Sequence, residues 1–305
     1  MPHFSDADNL AYMRSQAAII NREAVELDYN PLYQALIPVS TEGHPFAPAV
    51  VFGSATKLGQ ARFISGNADD VPFANLDLKE KVQTVHTAAV GYSYGFEELG
   101  VAQAMGINLT ADKAVAARRA YEEFVDVLAF SGNTEKSIAG FKNLGATDRQ
   151  RAFNNTAANW TDADKFMKMV FEKLLLTGVN GNPTADTLLV SPAQFAMLAT
   201  SFVSSGASYL QLLKDTNPVT ASTGKALTVR AVKGLETSGT GGAERVIMYR
   251  KDPSVLALHI PMPHRFLEPA LAESGMRVNV AGVFRIAGIQ VKRADDVLYL
   301  DHAAS

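Results

Sequence analysis

Histidine is the side chain best suited to proton transfer and metal binding near neutral pH. The chain carries six, of which His259 and His264 come closest to a constellation. Five positions apart in an extended run, they project to opposite faces, and Pro261 and Pro263 break any helix that could bring them together. They read as surface or loop histidines. Asp69-Asp70 is the best carboxylate pair for acid–base work or cation binding. Adjacent loop residues diverge, and no histidine or third acid stands at ligand spacing, so the pair reads as a turn or an exposed interface charge. A catalytic alternative, an unrecognised α/β enzyme, requires this loop and a histidine such as His86 to converge in a cleft.

Gly239-Thr240-Gly241-Gly242 is glycine-rich, but a phosphate cradle needs a strand before it and a helix N-terminus after it. A strand pattern follows here, so the segment reads as a flexible hairpin tip. The chain contains no G-x-S-x-G, H-E-x-x-H or Walker sequence, which removes the hallmarks of serine hydrolases, zincins and P-loop enzymes. Asn108-Leu-Thr110 and Asn159-Trp-Thr161 match the glycosylation sequon by chance, and both threonines serve better as helix caps. Trp160, Met167 and Met169 read as core. The residues therefore nominate no catalytic group, no cofactor-binding group, no metal ligand and no cofactor.

Composition narrows the class further. With 305 residues and 47% hydrophobic content there is material for about two structural units. A net charge of -3 gives no global basic footprint, so nucleic acid can be contacted only locally and weakly. Zero cysteines exclude disulfides, thiolate metal sites and a cysteine nucleophile, and fit a fold made in reducing cytoplasm. The first residues show neither a basic start nor an apolar h-region, and no run approaches the roughly 20 apolar residues of a membrane span.

The element that organises the rest is a long helix over 111–130. Ala114, Ala117, Tyr121, Phe124 and Leu128 line its apolar face at helical spacing, and Arg118, Arg119, Glu122, Glu123 and Asp126 fill the others. Thr110 is the expected N-cap and Gly132 the residue just past the end. Upstream, Leu10, Met13, Ala17 and Ile20 form an amphipathic stripe cut off by Pro31 and Pro38, which must pack on the chain's own body or on a neighbour. Between them, 45–94 switches to strands around a glycine-punctuated β-loop, too marginal alone in water to lie on nothing.

Downstream, 147–159 reads as a loop. A helix follows with a capping-box start at Thr161-x-x-Asp164, running on to Gly178. Thr187–Val190 is a buried strand, and Ser191-Pro192-Ala193-Gln194 is a cap, an N1 proline and a capping-box glutamine. A helix around 209–214 stops at Asn217-Pro218. Strands then cover 226–232, 245–250, 255–260 and 276–293, with a bulge-like phase slip at Gly282, and Val297–Leu300 closes the chain.

Several of these stretches together resemble the tailed-phage major capsid proteins of the Hong Kong 97-like fold. They are Leu36-Ile37-Pro38-Val39, Asp69-Asp70-Val71-Pro72, Tyr92-Ser-Tyr-Gly-Phe-Glu-Glu-Leu99, Lys113-Ala-Val-Ala-Ala-Arg118-Arg-Ala-Tyr-Glu-Glu123, Gly140-Phe-Lys-Asn-Leu144 and the late Gly282-Val-Phe. Each is a short cluster; the resemblance lies in their order and spacing along most of the chain.

The resemblance implies an α+β fold with an N-terminal arm (1–46), an extended β-loop (47–87) and a peripheral domain (88–144) built on the spine helix at 111–130. It further implies an axial domain (145–260) with a central sheet flanked by helices, and final strands (261–305) returning to the peripheral domain. The function implied is structural: self-assembly into hexamers and pentamers of an icosahedral head enclosing double-stranded DNA, made in the bacterial host cytoplasm and located in the virion. Partners implied are copies of itself, portal, scaffolding or decoration proteins, and packaged DNA contacted weakly, with no membrane. With only about 40 residues before the loop, a separate scaffold or none is implied. Some members crosslink through lysine and asparagine; Lys57 lies in the loop, but no motif carries that activity over. Within the same fold, an encapsulin-type nanocompartment shell is the alternative.

Overall fold

A computed structural model describes residues 29, 31–58, 63, 73–95, 97–98, 100–101, 109–145, 151–155, 160–177, 183–204, 206–274 and 276–302. The chain runs through α1 (Leu32–Leu36), β1 (Val39–Ser40), β2 (Ala49–Leu58), β3 (Asn75–Thr84), β4 (His86–Ala89) and β5 (Tyr92–Gly95). Then come α2 (Leu109–Ser131), β6 (Gly132–Asn133), β7 (Ile138–Ala139), β8 (Arg151–Asn155), α3 (Ala163–Leu174) and β9 (Thr187–Val190). Helices α4 (Pro192–Thr200), α5 (Tyr209–Asp215) and α6 (Pro218–Thr223) follow. The remaining strands are β10 (Thr228–Ala231), β11 (Arg245–Tyr249), β12 (Leu256–His259), β13 (Met262–Phe266) and β14 (Ala270–Leu271). Last are β15 (Arg277–Val280), β16 (Gly282–Ile286), β17 (Gly288–Val291) and β18 (Val297–His302).

Two compact units divide the described chain: Ala88–Phe124 with His264–Phe284, and Tyr33–Thr87 with Val125–Pro263 and the residues from Arg285 on. The second, larger unit is built on a five-stranded sheet in the order β10-β9-β11-β18-β8. Its β9 and β10 are parallel, β11 is antiparallel to both β9 and β18, and β18 and β8 are parallel again. Phe166, Val170, Leu174, Leu198, Leu213 and Val219 from the helices pack on Leu188, Val190, Val246, Met248, Leu298 and Leu300 of this sheet. Leu189, Ile247 and Tyr299, in register on its other face, are buried as well. Both faces being covered explains why β9, β11 and β18 are continuous apolar runs and not alternating ones.

The smaller unit holds a three-stranded sheet, β14-β15-β5, and the first part of α2. In it the Tyr121 ring stacks on His264 at 5.1 Å and meets Phe284 edge-on at 4.8 Å. A Cβ on Gly282 would collide with His264 Nε2 and the Val90 carbonyl, so only glycine fits there.

Several sequence expectations are corrected. The spine helix starts at Leu109, so Thr110 lies inside its first turn and is not its cap. Val125, not Phe124, fills the buried face with Ala117, Tyr121 and Leu128; Phe124 is 45% exposed. At about 100° per residue, 124 and 125 flank the line through 121 and 128 by about 50° on opposite sides, and it is the side of Val125 that the rest of the chain covers. Gly132, with φ of 73°, does close the helix, and a Cβ there would strike the Ile138 carbonyl.

Further along, helix α3 is capped by Asp162, whose carboxylate accepts from the Asp164 N–H, and it ends at Leu174, short of Gly178. Ser191 caps α4 and Pro192 stands in its first turn. The Gln194 amide, however, reaches the Trp160 carbonyl at 3.0 Å and Glu244 instead of closing a capping box. Asn217-Pro218 stops α5 and also starts α6, with the Asn217 side-chain Oδ1 accepting from the Val219 and Thr220 N–H groups.

Part of the expected 147–159 loop is the edge strand β8, whose pairing partner β18 is distant in sequence. The phase slip at Gly282 is a change of sheet, not a bulge: β15 pairs with β5, and β16 lies between β13 and β4. The last strand does not join a peripheral sheet with the rest of 261–305, because β18 lies in the five-stranded sheet between β11 and β8. Burial explains that placement: Val297, Leu298, Tyr299 and Leu300 are all fully buried.

Candidate assembly surfaces

The β2–β3 ribbon pairs antiparallel from Ala49↔Thr84 to Leu58↔Asn75. Val51 and Val82 face each other across it and are 58% and 70% exposed. A cross-strand valine pair on a two-stranded ribbon is apolar area left in water. The opposite face is tied down by Gln83, whose Nε2 donates to the Ala287 carbonyl at 2.6 Å, and the Val85 N–H closes the base of the ribbon on the Pro48 carbonyl at 2.9 Å. Arg285, itself buried, fixes the incoming chain by donating from Nε to Thr87 Oγ1 at 3.1 Å and from Nη1 to the Pro45 carbonyl at 2.8 Å.

The segment before the ribbon is held by its backbone ends. The Tyr33 N–H, in the first turn of α1, donates to the Asp126 carboxylate at 2.8 Å. At the other end the Tyr249 hydroxyl donates to the Leu36 carbonyl at 2.6 Å, and the Lys251 ammonium to the Ala35 carbonyl. An acid at the start and a cation at the end suit the orphan backbone groups of any helical turn. Burial pushes the Tyr249 hydroxyl up, so it remains a donor. Tyr33, Leu36 and Ile37 are buried, and β1 pairs in parallel with β12. This part of the arm therefore packs on the chain's own body; the stripe from Leu10 to Ile20 lies outside the described residues.

The most concentrated electrostatics in the larger unit are structural. Asp301 accepts from Arg245 Nε and Nη2 and from the Thr240 N–H and hydroxyl. Burial alone would raise the Asp301 carboxyl, but Arg245 and Thr240 outweigh it and hold it below the usual aspartate value. Arg245 also donates to the Lys142 carbonyl at 2.5 Å and lies 4.4 Å over the Tyr299 ring. The Gly239–Gly242 segment, expected to be a flexible tip, is thus a turn closed onto Asp301.

Among the described residues, none of the weighed chemical candidates assembles. His259 and His264 are buried, at 2% and 6% exposure, and not surface residues, because each lies in a strand within a packed sheet. They belong to different units. His264 Nε2 lies 3.1 Å from the Val90 carbonyl. His259 Nε2 has no partner among the described residues, and burial holds its imidazole below the ordinary value, with Glu42 opposing and Lys292 assisting. Asp69 and Asp70 lie outside the described residues, as does the side chain of Lys57. Among the described residues there is no group of three or more acids and histidines placed to hold a metal, and no helix long and apolar enough to cross a membrane.

The same architecture is found in solved capsids. The capsid of Myoviridae phage XM1 aligns with a TM-score of 0.66 at 18% identity, covering 94% of this chain and 98% of that one. The capsid of a native GTA particle aligns at 0.61 and 12% identity, over 94% and 99% of the two chains. Mycobacterium phage Bobi aligns at 0.57 and 15%, over 96% and 99%. No curated protein sequence matches. The fold is thus the α+β capsid fold of the Hong Kong 97-like type. The profile of the family described as major capsid protein matches residues 59–302, and the chain belongs to that family.

Proposed function

We propose that this chain assembles with copies of itself into hexamers and pentamers of an icosahedral phage head that encloses double-stranded DNA, and that it has no catalytic activity. The observation that carries the reading is the β2–β3 ribbon. Its Val51–Val82 face is in water while Gln83 and the Arg285-bound Pro45 segment fix its base, an arrangement suited to burial on another chain. In a closed shell such contacts can each be weak, because closure makes the later ones effectively intramolecular.

On this reading 1–46 is the arm, 47–87 the extended loop and 88–144 with its spine helix the peripheral domain. The axial domain is 145–260 together with β18, and 261–296 supplies the remaining peripheral and linking strands. Portal, scaffolding or decoration proteins are the further partners, DNA is touched weakly as the net charge of -3 suggests, and synthesis is in the host cytoplasm.

Size-exclusion chromatography and negative-stain electron microscopy of the purified chain test this. Rings or closed shells are expected on raising salt or crowding. A monomer that stays monomeric under every such condition would overturn the proposal, and shells that enclose a protein cargo instead of nucleic acid would transfer it to a nanocompartment.

A further inference from the structure

At one end of the helix-covered core of the five-stranded sheet, two buried polar atoms of opposite character lie close together. Trp160 Nε1 can only donate and Gln194 Oε1 can only accept. Neither has a hydrogen-bond partner among the described residues, so the two are not bonded to each other. Trp160 is 2% exposed and Gln194 7%, which puts both beyond the reach of bulk water. Buried polar groups left in this way are costly, and native proteins pair nearly all of them.

The surrounding bonds fix both side chains. Gln194 Nε2 donates to the Trp160 carbonyl at 3.0 Å and to Glu244 Oε2 at 3.2 Å. Only an NH2 group can serve both acceptors, so the amide cannot be turned over and Oε1 stays an acceptor, within about one residue's span of the indole. The indole meets Phe166 at 5.6 Å and His302 at 5.4 Å, both edge to face, and is held between them. Ser191, which caps α4, donates its hydroxyl to Glu244, and the Glu244 carbonyl accepts from the His302 N–H at 2.8 Å at the end of β18. The cluster thus joins the residue before α3, the first turn of α4, the entry to β11 and the exit of β18.

Polarity selects the occupant. The indole N–H disfavours a metal cation, and Gln194 Oε1 beside the Glu244 carboxylate disfavours an anion. An ammonium ion has no lone pair to take the indole hydrogen. Water is the smallest species that both accepts and donates. A buried water makes about three bonds, and the Glu244 carboxylate, with Ser191 and Gln194 already on it, keeps lone pairs for the third. We propose that one ordered water molecule accepts from Trp160 Nε1, donates to Gln194 Oε1 and to the Glu244 carboxylate, and so ties the start of α3 to the start of α4 and to β11.

Trp160 is the chain's only tryptophan, so a single indole N–H resonance reports on the site. In the full-length subunit this resonance is expected to show cross-peaks to water of opposite sign in laboratory-frame and rotating-frame Overhauser spectra, the signature of a long-held molecule. In Gln194→Met the cross-peak should weaken several-fold. An indole without a water cross-peak, or one undiminished in a folded Gln194→Met protein, would overturn the proposal. A map of the wild-type protein at a resolution that shows waters needs no variant. It is expected to place a peak about 2.7 to 3.2 Å from both Trp160 Nε1 and Gln194 Oε1. A direct bond between the two side chains, an atom of the chain itself in that place, or a peak at metal–oxygen distance would overturn it. Neither measurement depends on whether the subunit forms a shell.

Discussion

Arg245 and Asp301 are joined by two parallel bonds, Nε to Oδ1 at 2.6 Å and Nη2 to Oδ2 at 2.7 Å, between adjacent strands of the five-stranded sheet. Neither side chain is more than 7% exposed. The pair fixes the Gly239–Gly242 turn through Thr240 and the Lys142 carbonyl through Arg245.

Removing one partner leaves a buried charge unpaired. Asp301→Asn is therefore expected to cost about 3 to 5 kcal/mol, measured by urea unfolding. The pH dependence has a definite sign. The native carboxyl sits below the ordinary aspartate value of 3.8, so its contribution is complete above that value and is lost only as pH falls further through the native pKa. A wild-type protein that loses this increment between pH 7 and 5 would contradict the assignment.

His259 predicts sensitivity in a different window. Its native pKa is depressed, so the native state binds fewer protons than the unfolded chain, and stability should fall as pH drops below the ordinary 6.5. His259→Gln should flatten the slope of unfolding free energy between pH 7 and 5. An unchanged slope would mean that the native ring takes up its proton freely.

The two faces of helix α2 separate two substitutions. Leu128→Ala, at a site 5% exposed, is expected to cost about 2 to 5 kcal/mol. Phe124→Ala, at 45% exposure, should cost less than about 2 kcal/mol, part of it from the edge contact with Phe284. Equal costs in thermal melts would mean that the helix is seated about a different axis.

For the ribbon, Val51→Asp with Val82→Asp should leave the melting temperature within a few degrees of wild type and abolish shells in the electron microscope. Unfolding of this variant would show that the valine pair belongs to a core.

Much of this was legible in the sequence where local rules coincide. The spine helix, the Ser191-Pro192 cap, the Thr187–Val190 strand and the long loop could be read from periodicity and capping chemistry, because those signals act within a few residues. The resemblance to capsid proteins was legible too, carried by ordered clusters over most of the chain.

What local rules could not supply was partnership between distant residues. Nothing near Arg151–Asn155 marks it as a strand, since its hydrogen bonds are owed to β18, nearly 150 residues on. Gly239–Gly242 looks flexible until Asp301 is brought beneath it. His259 and His264 read as surface until their strands are paired. The sequence by itself determined the long helix, the Ser191-Pro192 cap and the buried strand Thr187–Val190, because those follow from propensity and pattern within a few residues, and the ordered clusters that resemble capsid proteins pointed to the class. Tertiary structure alone decided which strands share a sheet, which face of helix α2 is buried and which polar groups are paired. Those depend on free energies of burial and hydrogen bonding that exist only once remote segments meet.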